Sequence, residues 1–154
     1  MKALTLTQPW ASLVAIGAKR IETRGWSTNY RGPIAIHAAK AFPGTAKALA
    51  QNETAFRRAL GWPHPERITQ EWLDDIAARL RSMPTGCVIA VSEILDCRRT
   101  EDIVTPELVA TDEYAFGDYA PGRYGFILGK VMQISPPVPV MGSLGLWNWE
   151  EIHA

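Results

Sequence analysis

Scarce cysteine and the lack of any long apolar segment limit what this sequence can encode. Its two cysteines, Cys87 and Cys97, fall in one predicted strand stretch with no Gly or Pro between them to form a hairpin. We therefore expect reduced thiols and no disulfide. No CxxC, HxH or HExxH spacing occurs, so we expect no metal site, and we assign no cofactor. A membrane span needs a run of about 18 or more apolar residues, and none is present.

Net charge is absent as well, because 16 basic and 16 acidic residues cancel. A balanced chain is atypical of proteins that coat long duplex nucleic acid by neutralising phosphates. The charges are nevertheless unevenly distributed. Residues 17–40 hold five basic residues against one acidic residue, whereas residues 101–118 hold six acidic residues and no Lys or Arg. This asymmetry favours a confined site over a wide basic surface.

The length of 154 residues and the hydrophobic content of 47% suit one domain, residues 1–154, with a substantial core. The sequence begins directly with a strand-like pattern and shows no signal-peptide features. We therefore expect a cytoplasmic protein.

Alternation and turn residues predict an α+β fold, a small mixed β-barrel with peripheral helices. Strands are predicted at 2–7, 21–24, 33–38, 87–95 and 124–134. Helices are predicted at 9–16, 44–60 and 69–82, with a short helix opening at Pro106. The prolines from Pro136 onward are expected to end the last strand, and the tail 142–149 is expected to be an ordered loop.

A block near the start of the chain combines charged and aromatic residues in an unusual density. It comprises residues 8–11, 17–26 and 30–32, which bring basic side chains and one carboxylate close to two Trp and one Tyr. Such a mixture suits a flat, polar, anionic ligand such as a nucleotide. The candidate binding residues are Trp10, Lys19, Glu22, Arg24, Trp26, Tyr30, Arg31 and His37.

Several of these residues have more than one possible role. Lys19 can bind an anion, act as a catalytic group or form an ordinary ion pair. Glu22 can accept a hydrogen bond from an exocyclic amine, activate water, or pair with Lys19 or Arg24. Thr23 faces away from Glu22 on an ideal strand, which argues against a threonine nucleophile there.

The remaining candidates divide between ligand contacts and structural roles. Arg24 and Arg31 can grip phosphate or form structural ion pairs. Trp10, Trp26 and Tyr30 can stack on a base or pack in the core. His37 is expected to line the site or to be a hydrogen-bonded structural residue.

The run Gly17-x-Lys19-x-x-Glu22-x-Arg24 resembles the GxKxxExR signature of the ASCH (activating signal cointegrator homology) domain family. The segments 8–11, 30–32, 36–38, 116–119, 122–124 and 145–149 look like the same family. The resemblance therefore covers nearly the whole chain and implies a PUA-like fold. The helical stretch at about 44–82 looks like an insertion.

The resemblance also implies a cleft lined by the signature, in a module that binds RNA or nucleotides. Some small bacterial members hydrolyse the acetyl amide of acetylated cytidine, and a nuclease activity has been attributed to others. In the amidohydrolase type, the position of Lys19 is a catalytic lysine. Glu22 stands where that type has a threonine, and Glu113 or Asp118 is a candidate for its late carboxylate.

Our first hypothesis is a binding module for single-stranded RNA, a nucleotide or a modified nucleoside. The second is an amidohydrolase acting on acetylated cytidine or related nucleosides, in which Glu22 or Glu113 activates water and Lys19 stabilises the oxyanion. The third is a ribonuclease, in which Lys19 and an arginine stabilise charge at phosphorus. A fourth hypothesis is a partner-binding domain that acts through the inserted helices.

Overall fold

The computed structural model describes residues 1–150 and has a mixed α+β architecture. Its strands are β1 (Lys2–Leu6), β2 (Ile21–Arg24), β3 (Gly32–Ala38), β4 (Cys87–Arg99), β5 (Tyr124–Leu128), β6 (Met132–Pro139) and β7 (Leu146–Asn148). Its helices are α1 (Trp10–Ala15), α2 (Gly44–Asn52), α3 (Thr54–Leu60), α4 (Gln70–Ser82), α5 (Thr100–Ile103), α6 (Pro106–Val109) and α7 (Asp112–Ala115).

The seven strands form one sheet in the order β2-β5-β4-β3-β1-β7, with β6 pairing β4 beside this path. Strands β1 and β3 are parallel, with Lys2 opposite Ile34 and Leu6 opposite Ala38, so their carboxyl ends meet at the same edge. The other pairings are antiparallel. The α+β prediction is confirmed. The sheet is not closed into a barrel, although the arrangement is consistent with a PUA-like fold.

Alternation along the central strands gives the sheet two different faces. Leu4, Leu6, Ile34 and Ile36 are buried on the face covered by α1, together with Phe126. The opposite face carries smaller side chains and is covered by Trp149; its buried members are Ala3, Ala35 and Val88. Burial of the larger apolar face fixes the register, since a one-residue slip would expose it.

Helices α2, α3 and α4 lie between β3 and β4 in the chain and enclose a separate apolar cluster. Its buried members are Ala50, Ile76 and Leu80. Thr69 caps α4 by accepting a hydrogen bond from the Trp72 amide at 3.1 Å, as the sequence predicts.

Three element predictions are wrong in detail. The helix predicted at 44–60 is interrupted at Glu53, whose backbone is extended (φ −89°, ψ 124°), so α2 and α3 are separate helices. The strand predicted at 124–134 breaks after Leu128, and its second part continues through the prolines as β6. Because β6 pairs only with β4, prolines without a donor are tolerated at this edge. The tail is not entirely a loop, since Leu146–Asn148 pairs with β1.

Both cysteines are free; Cys87 is buried and Cys97 is half-buried. Within residues 1–150, no helix has the length and apolar character that a membrane crossing requires.

Candidate functional site

Lys19, Glu22 and Arg24 form a connected cluster, here called the ion triad, at one end of β2. Lys19 Nζ lies 3.2 Å from Glu22 Oε1 and also donates to the carbonyl of Ile21. Arg24 Nε donates to Glu22 Oε2 at 3.0 Å, and Arg24 Nη2 lies at the same distance from that oxygen. One carboxylate therefore lies between two cations.

The three side chains of the ion triad differ in their access to solvent. The Lys19 side chain is fully buried, that of Glu22 is 10% exposed, and that of Arg24 is 24% exposed. A buried ammonium needs an opposite charge and hydrogen-bond acceptors to offset its lost hydration. Glu22 and the Ile21 carbonyl supply them, so Lys19 acts as the buried support of the Glu22 carboxylate.

Local geometry turns Lys19 inward. Helix α1 ends at Gly17, whose φ of +81° lies in the left-handed region that favours glycine. The amides of Ala18 and Lys19 then both donate to the carbonyl of Leu13 at 3.0 Å. This tight exit from α1 brings Lys19 beneath the start of β2.

Glu113 completes the same turn from a distant part of the chain. Its carboxylate accepts hydrogen bonds from the amide of Arg20 at 2.9 Å and from the amide of Ile21 at 2.8 Å. The sequence prediction considers Glu113 as a catalytic carboxylate. The structure shows this carboxylate hydrogen-bonded to the backbone between Lys19 and β2.

Arg24 also connects the ion triad to β1. Its Nη2 donates to the carbonyl of Thr5 at 2.7 Å. Strands β1 and β2 are not neighbours in the sheet, so this hydrogen bond bridges the space between them. Among residues 1–150, Arg24 Nη1 has no hydrogen-bond partner.

A cavity of about 450 Å³, here called the first cavity, opens beside the ion triad. Four parts of the chain line it: the end of β1 with Thr5, Leu6 and Thr7; Trp10 with β2 residues Glu22, Thr23 and Arg24; the helical segment with Leu49 and Phe56; and the run Ala115, Phe116, Gly117 and Asp118. Lys19 supports Glu22 from behind and does not line this cavity.

Aromatic side chains join three of those parts. The Trp10 indole donates to the carbonyl of Phe116 at 2.7 Å. Phe56 packs edge-on against both rings, with centroids 6.0 Å from Trp10 and 5.1 Å from Phe116. These contacts hold the helical segment and the run 115–118 against α1.

Thr23 contacts the opposite wall of the first cavity. Its Oγ1 accepts a hydrogen bond from the amide of Asp118 at 3.0 Å. Gly117 lies so close that an added Cβ would be 3.1 Å from Thr23 Cγ2 and 2.8 Å from the Tyr119 ring. Only glycine therefore fits here without displacing Thr23 or Tyr119.

The Tyr119 hydroxyl lies behind this wall and is buried, with no hydrogen-bond partner among residues 1–150. Burial raises the pKa of Tyr119 well above its usual value, and the negative charges of Glu113 and Glu22 raise it further. The phenol therefore stays protonated over the whole physiological pH range.

Trp26, Tyr30 and Arg31 lie outside the first cavity. Trp26 packs edge-on against Phe126 at 5.2 Å, and Tyr30 packs on the same core. Arg31 lies on the surface, 3.3 Å from Asp96. The structure therefore brings only part of the predicted aromatic and cationic set together.

His37 lies on the face of the sheet that Trp149 covers, away from the ion triad. Its Nδ1 is 3.1 Å from the Thr5 hydroxyl, and its Nε2 is 2.8 Å from the carbonyl of Val140. The Trp147 indole donates to the same Thr5 hydroxyl at 3.0 Å. These contacts fit one tautomer of His37: Nε2 donates to the Val140 carbonyl, and Nδ1 accepts a hydrogen bond from the Thr5 hydroxyl. Both ring nitrogens are thus occupied.

Sequence analysis misses Leu49, Phe56 and Gly117 as residues of the site. Leu49 and Phe56 belong to the helical segment, which looks like an insertion in the sequence and is not predicted to line the cleft. Their approach to Trp10 depends on the docking of α2 and α3, for which the sequence gives no local signal.

The described residues 1–150 contain no group of three or more His, Cys, Asp or Glu side chains arranged to hold a metal ion. The polar side chains that line the first cavity are those of Glu22, Asp118, Arg24 and three threonines, Thr5, Thr7 and Thr23.

Comparison with known proteins identifies one family. The model of the ASCH domain matches residues 4–120. Activating signal cointegrator 1 of Homo sapiens is 31% identical over 153 residues, and the Mus musculus protein of the same name is 30% identical over 153 residues. Each alignment covers 97% of this chain but only 22% of the relative, so the chain spans about a fifth of these proteins' length.

Proposed function

Because the chain belongs to the ASCH domain family, we propose that its first cavity binds a base of single-stranded RNA, of a nucleotide or of a modified nucleoside. One observation carries this proposal: the Glu22 carboxylate faces the cavity while Lys19 and Arg24 hold it from other sides at 3.2 and 3.0 Å. A carboxylate fixed in this way is a preorganised acceptor for a ligand N–H group.

The hydrogen-bonding capacity of the ion triad matches the edge of a base. A carboxylate has about four acceptor positions, and Lys19 and Arg24 occupy part of this capacity on Glu22. The rest is open to a ligand, and Arg24, which also lines the cavity, supplies N–H donors. An acceptor adjacent to a donor suits the Watson–Crick edge of an unstacked base, where amino and carbonyl groups are neighbours.

The charge around the cavity supports a base more than a phosphate. Among residues 1–150, the charged lining residues are Glu22, Arg24 and Asp118. Lys19, expected from the sequence to bind an anion, is buried behind Glu22 and neutralised by it. A phosphate inside this cavity would meet two carboxylates, so we place the phosphates of the ligand outside it.

Binding measurements with purified protein test this proposal. Cytidine, N4-acetylcytidine, the other nucleosides and short RNAs are titrated against wild type, Glu22→Gln and the matched control Glu107→Gln, whose carboxylate is exposed on α6. A hydrogen bond to a charged group is worth about 1.5–3 kcal/mol, so Glu22→Gln should weaken binding roughly 10- to 100-fold. Glu107→Gln should not change it.

Equal affinity of wild type and Glu22→Gln for every ligand would contradict the proposed role of the carboxylate. Thermal unfolding of each variant checks that it is folded. Arg24→Gln provides a second variant in the same site, because the Arg24 side chain reaches solvent and its removal leaves the Lys19–Glu22 pair intact.

Amide hydrolysis is a second candidate function, favoured by the shared location of Glu22 and Arg24 in the first cavity. In this reaction Glu22 accepts a proton from water, the water oxygen attacks the acyl carbon, and Arg24 Nη1 hydrogen-bonds the oxyanion. The C–N bond then breaks, and the amine takes up the proton. Mass spectrometry of N4-acetylcytidine incubated with the protein tests this: the acetyl group is lost with wild type and retained with Glu22→Gln.

The ribonuclease hypothesis has weaker support. Its proposed cation, Lys19, does not line the first cavity, and no other Lys or His among residues 1–150 lines it. Shortening of end-labelled RNA by wild type, abolished in Arg24→Gln, would restore that hypothesis.

A further inference from the structure

A second cavity, of about 1010 Å³, opens next to the first. Its walls are the residues that follow β3, the turn before β4 and the loop between β6 and β7. This second cavity lies on the face of the sheet that holds His37, whereas the ion triad belongs to the first cavity.

The two cavities meet at the carboxyl ends of β1 and β3. Thr5 lines both of them. Leu6 lines the first and Ala39 lines the second, and the amide of Ala39 donates to the carbonyl of Leu6 at 2.9 Å. The two cavities therefore flank the same strand ends and share Thr5 as a lining residue.

The lining of the second cavity combines one cation with an apolar rim. Lys40 is its only charged lining residue within the described range, is exposed and forms no ion pair there. Met141 and Leu144, on the β6–β7 loop, are 91% and 98% exposed. Both side chains line the second cavity and offer apolar surface that a ligand would bury.

His37 and Gly142 hold this rim in place. Both nitrogens of His37 are occupied, one by the carbonyl of Val140 on the same loop. A Cβ added at Gly142 would lie 2.6 Å from the His37 ring, so the loop packs directly on the histidine. The rim residues are thus presented by a backbone anchored to β1 and β3.

We propose that the second cavity is the subsite for the nucleotide adjoining the one in the first cavity, so that the ligand is single-stranded RNA of at least two nucleotides. The phosphate between them pairs with Lys40, and the second base packs against Met141 and Leu144. This inference rests on the proposed function. It also provides the phosphate contact that the first cavity lacks, because Lys40 is the cation that lines the adjoining second cavity.

The test compares a nucleoside with di- and trinucleotides of the same base, for wild type, Lys40→Gln and the control Lys130→Gln. Lys130 is exposed and lines neither cavity. Wild type should bind the dinucleotide about tenfold more tightly than the nucleoside. Lys40→Gln should reduce this gain and lower the slope of log K against log salt by about 0.7, the value for one single-strand phosphate contact. Lys130→Gln should change neither quantity.

The double variant Met141→Ser/Leu144→Ser supplies a second measurement that does not depend on charge. Both side chains are exposed, so the fold should persist, and the dinucleotide gain should fall while the salt slope stays unchanged. The two-nucleotide site is overturned if wild type binds all ligands with the same affinity regardless of their length. It is also overturned if Lys40→Gln weakens the binding of all ligands by the same factor. Nucleoside binding that still depends on Glu22 would then leave the proposed function intact. Failure of every ligand to bind would refute both proposals.

Discussion

Removing the charge of Glu22 is the sharpest test of the ion triad. Glu22→Gln preserves the size of the side chain but leaves the fully buried Lys19 ammonium with the Ile21 carbonyl as its remaining partner in the triad. Arg24 is affected less, because its side chain is 24% exposed and its Nη2 keeps the hydrogen bond to the Thr5 carbonyl. The main cost is therefore an uncompensated buried cation.

Breaking a buried ion pair by removing one partner costs about 3–5 kcal/mol. Loss of the more exposed Arg24 contact adds at most about 1 kcal/mol. Since glutamine still offers a carbonyl oxygen, we expect Glu22→Gln to lower the free energy of unfolding by about 3 kcal/mol. For a chain of this length, the melting temperature should fall by roughly 6–12 °C.

Urea unfolding monitored by tryptophan fluorescence measures this change. The free energy of unfolding should depend equally steeply on urea concentration in wild type and variant, so that the two values can be compared. Asp75→Asn is the matched control: its carboxylate lies 2.9 Å from Arg79 on the surface of α4. An exposed ion pair between residues four positions apart on a helix contributes about 0.5 kcal/mol or less to stability, so Asp75→Asn should lower the free energy of unfolding by no more than that.

The double variant Lys19→Met/Glu22→Gln separates the buried charge from other effects. Methionine fills similar space and removes the orphaned ammonium, so the double variant should recover at least about 1.5 kcal/mol of the loss. If Glu22→Gln lowered the free energy of unfolding as little as Asp75→Asn does, the Lys19 ammonium would have to be hydrated. The reasoning about a preorganised carboxylate would then be wrong.

Three further predictions concern other parts of the structure. Phe56→Ala removes a buried ring that contacts Trp10, and it should lower the free energy of unfolding by about 3–5 kcal/mol in urea titrations. Burial raises the pKa of the Cys87 thiol and shields it, so iodoacetamide at neutral pH should modify Cys97 first, as followed by peptide mass spectrometry. Because burial raises the pKa of Tyr119, the phenol ionises first in the unfolded chain, so this group leaves stability unaffected below about pH 10 and lowers it as the pH rises further. Tyr119→Phe should therefore flatten the alkaline end of the stability–pH curve and, since its hydroxyl is unpartnered, leave neutral stability unchanged or up to about 1 kcal/mol higher.

Each of these has an outcome that contradicts it. A Phe56→Ala variant as stable as wild type would show that the helical segment is not docked on Trp10. Equal labelling rates of the two thiols would mean that Cys87 is accessible. An unchanged alkaline limb in Tyr119→Phe would assign the loss of stability at high pH to other groups.

Local patterns suffice to predict much of the fold. Alternation places Ile34 and Ile36 on one face of β3, and both are buried there. Gly17 ends α1, and Thr69 begins α4 with its predicted cap. These features depend on residues within a few positions of one another, so short-range rules capture them. The break at Glu53 and the continuation of β6 through its prolines were missed because tertiary context overrides such preferences.

The sequence by itself also determines the ion triad, because Lys19, Glu22 and Arg24 lie within six residues on one turn and strand. Only the tertiary structure decides what surrounds it. Trp10 meets Phe116 across 106 positions, and Glu113 reaches the amide of Arg20 across 93. Such long-range contacts follow from which apolar faces are buried together, and that choice depends on the whole chain. It places Trp26, Tyr30 and Arg31 outside the first cavity and brings Phe56 to its wall.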